Sequence, residues 1–227
     1  MIRGSLLRTK EYHVRKLSLF DKIINEVDQA MRTVHTLAPT TERPNPAAHI
    51  KVETPLTEDE KKLSIRLMRI NHAGEVSAQG LYRGQALTAK REDIREQMDR
   101  SAMEENDHLN WCELRLTELD AKKSLFGPLW YMGSFTIGAV AGLAGDKWSL
   151  GFVKETEDQV VRHLQEHIGK LPVADTPSMA ILQQMKIDEA HHADVAVEAG
   201  AAKLPLPVRK ILMPLMSKVM TKTAARI

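Results

Sequence analysis

Cysteine and aromatic residues are scarce in this chain of 227 residues. Cys112 is the single cysteine, so neither an intrachain disulfide nor a thiolate metal cluster can form, and we expect a reducing compartment. Aromatic residues make up 4%, which leaves few platforms on which single-stranded nucleic acid could stack. The 32 basic and 30 acidic residues nearly cancel, which removes the general electrostatic attraction for nucleic acid. We therefore expect no nucleic-acid partner.

Alternating patterns of β-branched residues, which are typical of strands, are almost missing from the sequence, so we predict an all-α protein. Its length allows one large domain with extensions. Residues 1–16 are basic but contain neither the apolar segment nor the small-residue cleavage site of a secretory signal. Three regions are predicted: an N-terminal helix with a proline-containing strap over 1–56, a bundle over 57–203 and a basic amphipathic tail over 204–227.

Capping signals place the helices within these regions. Ser18 is predicted to cap a first helix whose apolar stripe comprises Leu19, Phe20, Ile23, Ile24, Val27 and Met31. Thr57 and Glu60 form a capping-box pattern at the start of a second helix, which is expected to extend to about residue 90. Further helices are predicted over 92–119, from 146 to about 168, and from a Thr176 N-cap with Pro177 at the next position to about 202. The coarse result is four long helices flanked by shorter ones.

A Glu-x-x-His motif occurs at Glu105/His108 and again at Glu189/His192. Residues three apart lie on one helical face, so both side chains of a pair can reach one metal. The motif alone is common by chance, but the spacing is not. Another glutamate stands 30 residues before the first pair, at Glu75, and 32 residues before the second, at Glu157. The chain therefore repeats a helix with one glutamate followed by a helix with Glu-x-x-His.

Two such units supply four carboxylates and two imidazoles, the ligand set of ferritin-like di-iron and di-manganese bundles. Carboxylates bridge two cations and compensate their charge, whereas imidazole favours iron or manganese over magnesium or calcium. Without metal, four converging buried carboxylates would repel one another and lose hydration. The sequence thus predicts a dinuclear centre in a four-helix bundle. Neighbouring residues leave alternatives open: the pair Asp188/His191, Glu155 in place of Glu157, and Glu104 in place of Glu105.

Two further residues follow the lone glutamates on their helices. Tyr82 follows Glu75 by seven residues, almost on the same helical face, so it is either a core residue or a hydrogen-bond or redox partner of the site. His163 follows Glu157 by six residues and is interpreted as a partly exposed histidine or a partner near the site, because six ligands are already counted.

Residues 124–145 contain no charged side chain, which meets the length criterion for a membrane span. A span there would separate the two halves of the ligand set across the bilayer, so we expect this run to enter the membrane interface without crossing it. Trp130, Tyr131 and Trp148 suit that location. The tail has an apolar helical face with lysines and arginines beside it, and Pro214 is expected to interrupt it.

Several of these segments together resemble the demethoxyubiquinone hydroxylase family of ubiquinone biosynthesis. The segments are Asn71-His72-Ala73-Gly74-Glu75, Glu105-Asn106-Asp107-His108-Leu109, the run from Pro128 to Asp146, and Glu189 with His192. The resemblance covers roughly residues 63–200, and the strap and N-terminal helix are similar to its bacterial branch.

The resemblance implies a di-iron monooxygenase that hydroxylates the unsubstituted ring carbon of a polyprenylated demethoxyquinol with O2. It implies two iron ions held by Glu75, Glu105, His108, Glu157, Glu189 and His192, with His163 at a histidine position near them. NADH or the quinol itself would supply electrons. The protein is expected at the cytoplasmic face of the inner (cell) membrane, as a peripheral protein, with other ubiquinone-biosynthesis proteins and a second copy of itself as possible partners.

Three alternatives share parts of this pattern. Another membrane-associated quinol-linked di-iron oxidase has the same ligand set. A ferritin-like ferroxidase also has it, but needs neither the charge-free run nor the basic tail. A membrane-binding bundle without catalysis predicts no stoichiometric metal. The sequence does not distinguish iron from manganese.

Overall fold

The computed structural model describes residues 18–39 and 43–226, with the side chains of Leu19 and Lys22 left out. Within these ranges the chain is helical and has no strand, which confirms the all-α prediction. Residues 1–16 lie outside the described part. The helices are α1 Leu19–His35, α2 Glu58–Thr88, α3 Glu92–Glu118, α4 Gly127–Ala144, α5 Asp146–Ile168, α6 Thr176–Glu198 and, after a π-helical turn at Val208–Leu212, α7 Met213–Ala224.

The four longest helices, α2, α3, α5 and α6, form the bundle. Helix α2 packs on α3, α5 packs on α6, and contacts between α3 and α6 join the two pairs. One apolar cluster at one end includes Leu67, Trp111, Leu164 and Ile181, one residue from each helix. The cluster at the other end includes Tyr82, Met98, Leu150 and Ala196. The predicted ligands lie between these clusters along every helix, and the bundle has the predicted ferritin-like form.

Two of the predicted N-caps are confirmed and one is wrong. Ser18 accepts a hydrogen bond from the Asp21 amide, and Thr57 accepts one from the Glu60 amide, each within a reciprocal capping box. Helix α6, however, is capped by Asp175 and not by Thr176. The Asp175 carboxylate accepts from the Ser178 amide at 3.2 Å and also from Arg115 Nη2 at 2.8 Å. This ion pair with α3 explains why the aspartate takes the cap position and Thr176 becomes the first helical residue.

Helix α6 also ends at Glu198, four residues before the predicted end near 202. Gly200 has a φ of +99°, a left-handed conformation that stops the helix. The Ala202 amide then donates to the Lys147 carbonyl at 2.8 Å, which draws the chain toward the start of α5.

The charge-free run forms α4, which lies along α2 at very close range. A Cβ atom built on Gly80 would fall 2.3 Å from the Tyr131 carbonyl oxygen, and one on Gly84 would fall 2.1 Å from that of Phe135. Gly138 meets the Leu81 carbonyl oxygen at 2.1 Å in the same way. Gly80 and Gly84 of α2 and Gly138 of α4 therefore allow backbone contact between the two helices. In the described part of the chain, none of the helices is long and apolar enough to cross a bilayer.

Helix α1 docks on the bundle through an ion pair and a few apolar side chains. Glu26 pairs with Arg83 of α2, and Ala30 and Val34 pack against a buried cluster that includes Val76 and Tyr131. The described members of the predicted apolar stripe, which are Phe20, Ile23, Ile24, Val27 and Met31, face outward and are exposed. Amphipathicity was correctly predicted from the periodicity, but it does not indicate what the apolar face contacts.

Candidate metal centre

Glu75, Glu105, His108, Glu157, Glu189 and His192 are all buried in the middle of the bundle. One ligand atom from each of Glu75, Glu105, His108 and Glu189 lies within 4.8 Å of the others, so this group could hold a metal ion. His192 adjoins the same two central glutamates. Glu157 lies beside this group, because it accepts a hydrogen bond at 2.6 Å from Tyr82, whose ring is 6.4 Å from that of His192.

Glu105 and Glu189 occupy the centre, and each presents one carboxylate oxygen to each histidine. The Nδ1 atom of His108 lies 3.0 Å from Glu105 Oε2 and 3.2 Å from Glu189 Oε1. The Nδ1 atom of His192 lies 3.1 Å from Glu105 Oε1 and 3.3 Å from Glu189 Oε2. The two oxygens of each carboxylate thus point to opposite halves of the cluster, as a ligand that bridges two cations requires.

The outer nitrogen of each histidine contacts a carboxylate from the other half of the chain. His108 Nε2 lies 2.9 Å from Asp188 Oδ2, and His192 Nε2 lies 2.8 Å from Glu104 Oε2. Such carboxylates fix the ring orientation and direct Nδ1 toward a metal. The sequence signal for them is an acidic residue directly before each Glu-x-x-His glutamate, and from the sequence alone each is a competing ligand.

The other alternative residues lie away from this cluster. His191 is exposed. Glu155 forms an ion pair with Arg209 of the tail, with Nε 2.6 Å from Oε2. The structure therefore groups Glu105, Glu157, Glu189 and His192 around the centre, and it places Glu104 and Asp188 against the outer nitrogens of the histidines.

Burial and mutual repulsion shift the protonation of this cluster. Burial raises the pKa of Glu75 and Glu157 well above the ordinary glutamate value, and the charges of Glu105 and Glu189 raise it further. Burial also opposes ionisation of Glu105, but attraction to His108 and His192 outweighs it and lowers that pKa. For both histidines, burial disfavours the charged ring, yet the surrounding carboxylates raise the pKa. The buried glutamates bring more negative charge together than the two histidines balance, and a bound cation would stabilise such a cluster.

A cavity of about 570 Å³ reaches this cluster from between α2, α4, α5 and the tail. Its walls are mainly apolar, and Glu75 is part of its lining. Leu129 of α4 and Leu215 and Val219 of α7 line it and are also exposed, so the cavity opens between these helices. Four lining residues carry a buried polar atom without a hydrogen-bond partner: Asn71 Nδ2, Trp130 Nε1, Thr156 Oγ1 and Gln159 Nε2.

His163 lies on the wall of this cavity. Its Nε2 atom is 3.1 Å from Ser217 Oγ of the tail, and its ring is 5.5 Å from that of His167. His167 Nδ1 is in turn 2.9 Å from Asn71 Oδ1. Burial, then the charge of His163, lowers the pKa of His167 to about 4, so this ring is neutral at physiological pH. The two histidines form a polar strip along an otherwise apolar wall.

Comparison with known proteins agrees with this geometry. The family model described as ubiquinone biosynthesis protein COQ7 matches residues 62–224. The chain belongs to this family. A protein of Nitrosococcus oceani is 57% identical over 210 residues, covering 92% of this chain and 97% of the relative. Relatives in Acinetobacter baylyi and Legionella pneumophila (strain Paris) are 51% and 53% identical, with 93% of this chain and 99% of each relative covered. All three are named 3-demethoxyubiquinol 3-hydroxylase.

Proposed function

We propose that this chain is a 3-demethoxyubiquinol 3-hydroxylase, which uses O2 to hydroxylate the ring of a polyprenylated demethoxyquinol. Family membership and the names of relatives that match nearly full length support this activity. The observation that carries it is the meeting of an apolar cavity with the buried carboxylate and imidazole cluster at Glu75. A ferroxidase needs a path for hydrated cations, whereas this cavity suits a large apolar molecule.

The six clustered residues would hold two iron ions, with Glu105 and Glu189 as bridges. Glu75 and His108 would complete one position, and Glu157 and His192 the other. An iron pair bound there would supply redox and Lewis-acid chemistry for activation of O2, with two electrons from an external donor. Tyr82 donates a hydrogen bond to Glu157, while Asp188 and Glu104 hold the outer nitrogens of the histidines. The apolar clusters on both sides of the site exclude water from it.

The cavity would hold the substrate with its ring near Glu75 and its isoprenoid chain toward the mouth. Its volume of about 570 Å³ is within the usual range for sites that bind organic ligands. The unpartnered amide nitrogens of Asn71 and Gln159 offer hydrogen bonds to ring oxygens, since a buried polar atom without a partner is costly. This arrangement would direct the unsubstituted ring carbon to the position held by Glu75 and His108.

We further propose that the surface around the cavity mouth rests on the cytoplasmic face of the inner (cell) membrane. Exposed apolar side chains lie on both helices there, including Leu129, Met132 and Leu143 of α4 and Leu215 and Val219 of α7. Lys210, Lys218 and Lys222 of the tail would contact anionic headgroups. A quinol dissolved in the bilayer could then enter the cavity without crossing water.

The electron source and the protein partners belong to the same proposal. NADH or the quinol itself would reduce the site, and a product assay with quinol as the sole reductant separates the two. A second copy of the chain or another ubiquinone-biosynthesis protein would cover the exposed apolar stripe of α1.

The test of the proposed function combines metal analysis with product formation. The protein, purified in detergent and loaded with 57Fe, is examined by Mössbauer spectroscopy before and after a short-tailed demethoxyquinol and 18O2 are added. We expect two coupled irons per chain and one 18O atom in the ring of the product. Two irons without ring hydroxylation would indicate a quinol oxidase or a ferroxidase. Absence of stoichiometric iron would overturn the proposal.

A further inference from the structure

Arg43, in the strap between α1 and α2, contacts both helices that carry Glu-x-x-His. Its Nε atom donates to Asp107 Oδ2 at 2.8 Å, and Nη2 donates to the Glu104 carbonyl at 3.2 Å, both on α3. Its Nη1 atom donates to Asp188 Oδ2 of α6 at 2.8 Å. The guanidinium also lies 5.3 Å from the ring centroid of Trp111. A planar fork of donors stacked on an indole is a geometry that arginine, and not lysine, can adopt.

The Asp188 carboxylate is the link between Arg43 and His108. Its Oδ2 atom accepts from Arg43 and also faces His108 Nε2 at 2.9 Å. Its Oδ1 atom accepts from Gln184 Nε2 at 2.9 Å, so both oxygens are fixed. The ring of His108 is fully buried and lies 5.4 Å from that of Trp111. The strap therefore determines where the outer nitrogen of His108 is held.

The corresponding arrangement in the other half is much looser. His192 Nε2 faces Glu104, whose only other ion-pair partner among the described residues is Arg100, at 3.3 Å. The side chain of Arg100 is 79% exposed, compared with 35% for Arg43. An exposed pair of this kind contributes little, because water screens it and the long side chain must be ordered. The two halves share their ligands but differ in what holds the histidines.

We propose that Arg43 is a positioning residue that fixes Asp188 against His108 and makes the metal position of His108 and Glu75 the tighter of the two. This inference rests on the proposed di-iron site. Arg43 lies outside residues 62–224, the segment that the family model matches. A histidine held by a fixed carboxylate loses less freedom on binding metal and is a more basic ligand.

The test is an anaerobic calorimetric titration of the metal-free, full-length protein with Fe(II). Arg43→Gln, which removes the support of Asp188 and His108, is compared with the matched control Arg100→Gln, which removes the support of Glu104 and His192. The wild type should bind two Fe(II) in two distinguishable steps. Arg43→Gln should weaken the first step about tenfold, the lower end of the range for residues that support metal ligands. Arg100→Gln should leave that step unchanged, and Arg43→Lys should restore part of the affinity, because it keeps the charge but not the fork.

A Mössbauer spectrum with one equivalent of 57Fe(II) gives a readout independent of activity. One dominant quadrupole doublet in the wild type and two in Arg43→Gln support the inference. Thermal unfolding checks that each variant is folded. If Arg43→Gln does not fold, Asp188→Asn and Glu104→Gln are compared in its place. Of these two, only Asp188→Asn should weaken the first Fe(II) step. If the folded variants bind Fe(II) as the wild type does, Arg43 has no positioning role, and the proposed hydroxylase activity is unaffected. The same conclusion follows if the wild type hydroxylates substrate but its two irons bind identically.

Discussion

The two halves of the bundle carry the same ligands in different surroundings. In the first half, Glu75 lines the apolar cavity, and His108 is held through Asp188 by Arg43. In the second half, Glu157 is covered by the hydroxyl of Tyr82, and His192 is held through the partly exposed Glu104. The repeated ligand pattern would thus supply a dinuclear centre, and the differences around it would set the side from which the substrate approaches. Substrate would approach the first half, because Glu75 lines the cavity whereas Glu157 is not part of its lining.

The difference also shows in how each helix pair is packed. Helix α2 of the first half is covered by α4 at backbone contact through Gly80, Gly84 and Gly138. Helix α5 of the second half meets the start of the tail through Glu155 and Arg209, and the cavity opens beside it. The elements added to the repeat, α4 and the tail, therefore create the access route that the repeat alone does not contain.

Removal of either proposed bridging glutamate should prevent metal binding in both halves, because Glu105 and Glu189 each face both histidines. Glu105→Ala and Glu189→Ala should each reduce bound iron from two per chain to nearly none. Iron is measured by elemental analysis after reconstitution, with Glu198→Ala, an exposed glutamate at the end of α6, as the control. Retention of two irons in both bridge variants would exclude the proposed ligand assignment.

Acid should weaken metal binding in both halves. The carboxylates around His108 and His192 raise the pKa of both rings in the metal-free protein, so each ring carries a proton that the metal must displace. Affinity should therefore rise with pH below those raised pKa values, by about tenfold per pH unit for each proton displaced. Calorimetry in two buffers of different ionisation enthalpy measures the protons released. Binding without proton release would contradict this charge balance.

A larger side chain at Gly74 should block the first half selectively. A Cβ atom at this position meets no other atom within 4 Å, and the residue lines the cavity next to Glu75. Gly74→Leu should therefore fold and bind two irons but lose roughly tenfold in kcat/KM, about 1.4 kcal/mol of transition-state binding. Gly74→Ala is the small-side-chain control, which should leave kcat/KM unchanged and gain about 1 kcal/mol in stability from helix propensity. Equal kcat/KM values in the two variants would place the substrate elsewhere.

Loss of the Tyr82 hydroxyl should affect only the second half, and modestly. Burial and then the charge of Glu157 raise the pKa of Tyr82, so the phenol stays protonated and donates to that carboxylate. Tyr82→Phe should weaken the second Fe(II) step severalfold and leave the first unchanged, since one hydrogen bond is worth about 1 kcal/mol. Calorimetric titration measures both steps. A change confined to the first step would reverse the assignment of the halves.

Much of the fold and the ligand cluster could be predicted from local sequence. Helical geometry fixes which face each Glu-x-x-His pair occupies, and the repeated spacing brings four glutamates to one level. The role of Glu104 and Asp188 was also encoded, as an acidic residue before each motif. It was missed because each side chain acts across the bundle, on the histidine of the other half.

Other features depend on tertiary contacts that local patterns do not contain. Arg43 lies in an irregular, proline-containing segment without periodicity, so nothing in the sequence indicates that it reaches Asp188. Thr176 was a good N-cap by residue type, but the ion pair of Arg115 with Asp175 moved the helix start by one residue. Likewise, the stripe on α1 predicted an amphipathic helix and not that its apolar side would be exposed.

The central claim is that both halves contribute to one dinuclear site. X-ray data collected at the iron edge from crystals of the iron-loaded protein test it most directly. The account predicts two anomalous peaks per chain, about 3.5–4 Å apart, both adjoining Glu105 and Glu189, one beside His108 and the other beside His192. A single peak, or two peaks that share neither glutamate, would contradict it.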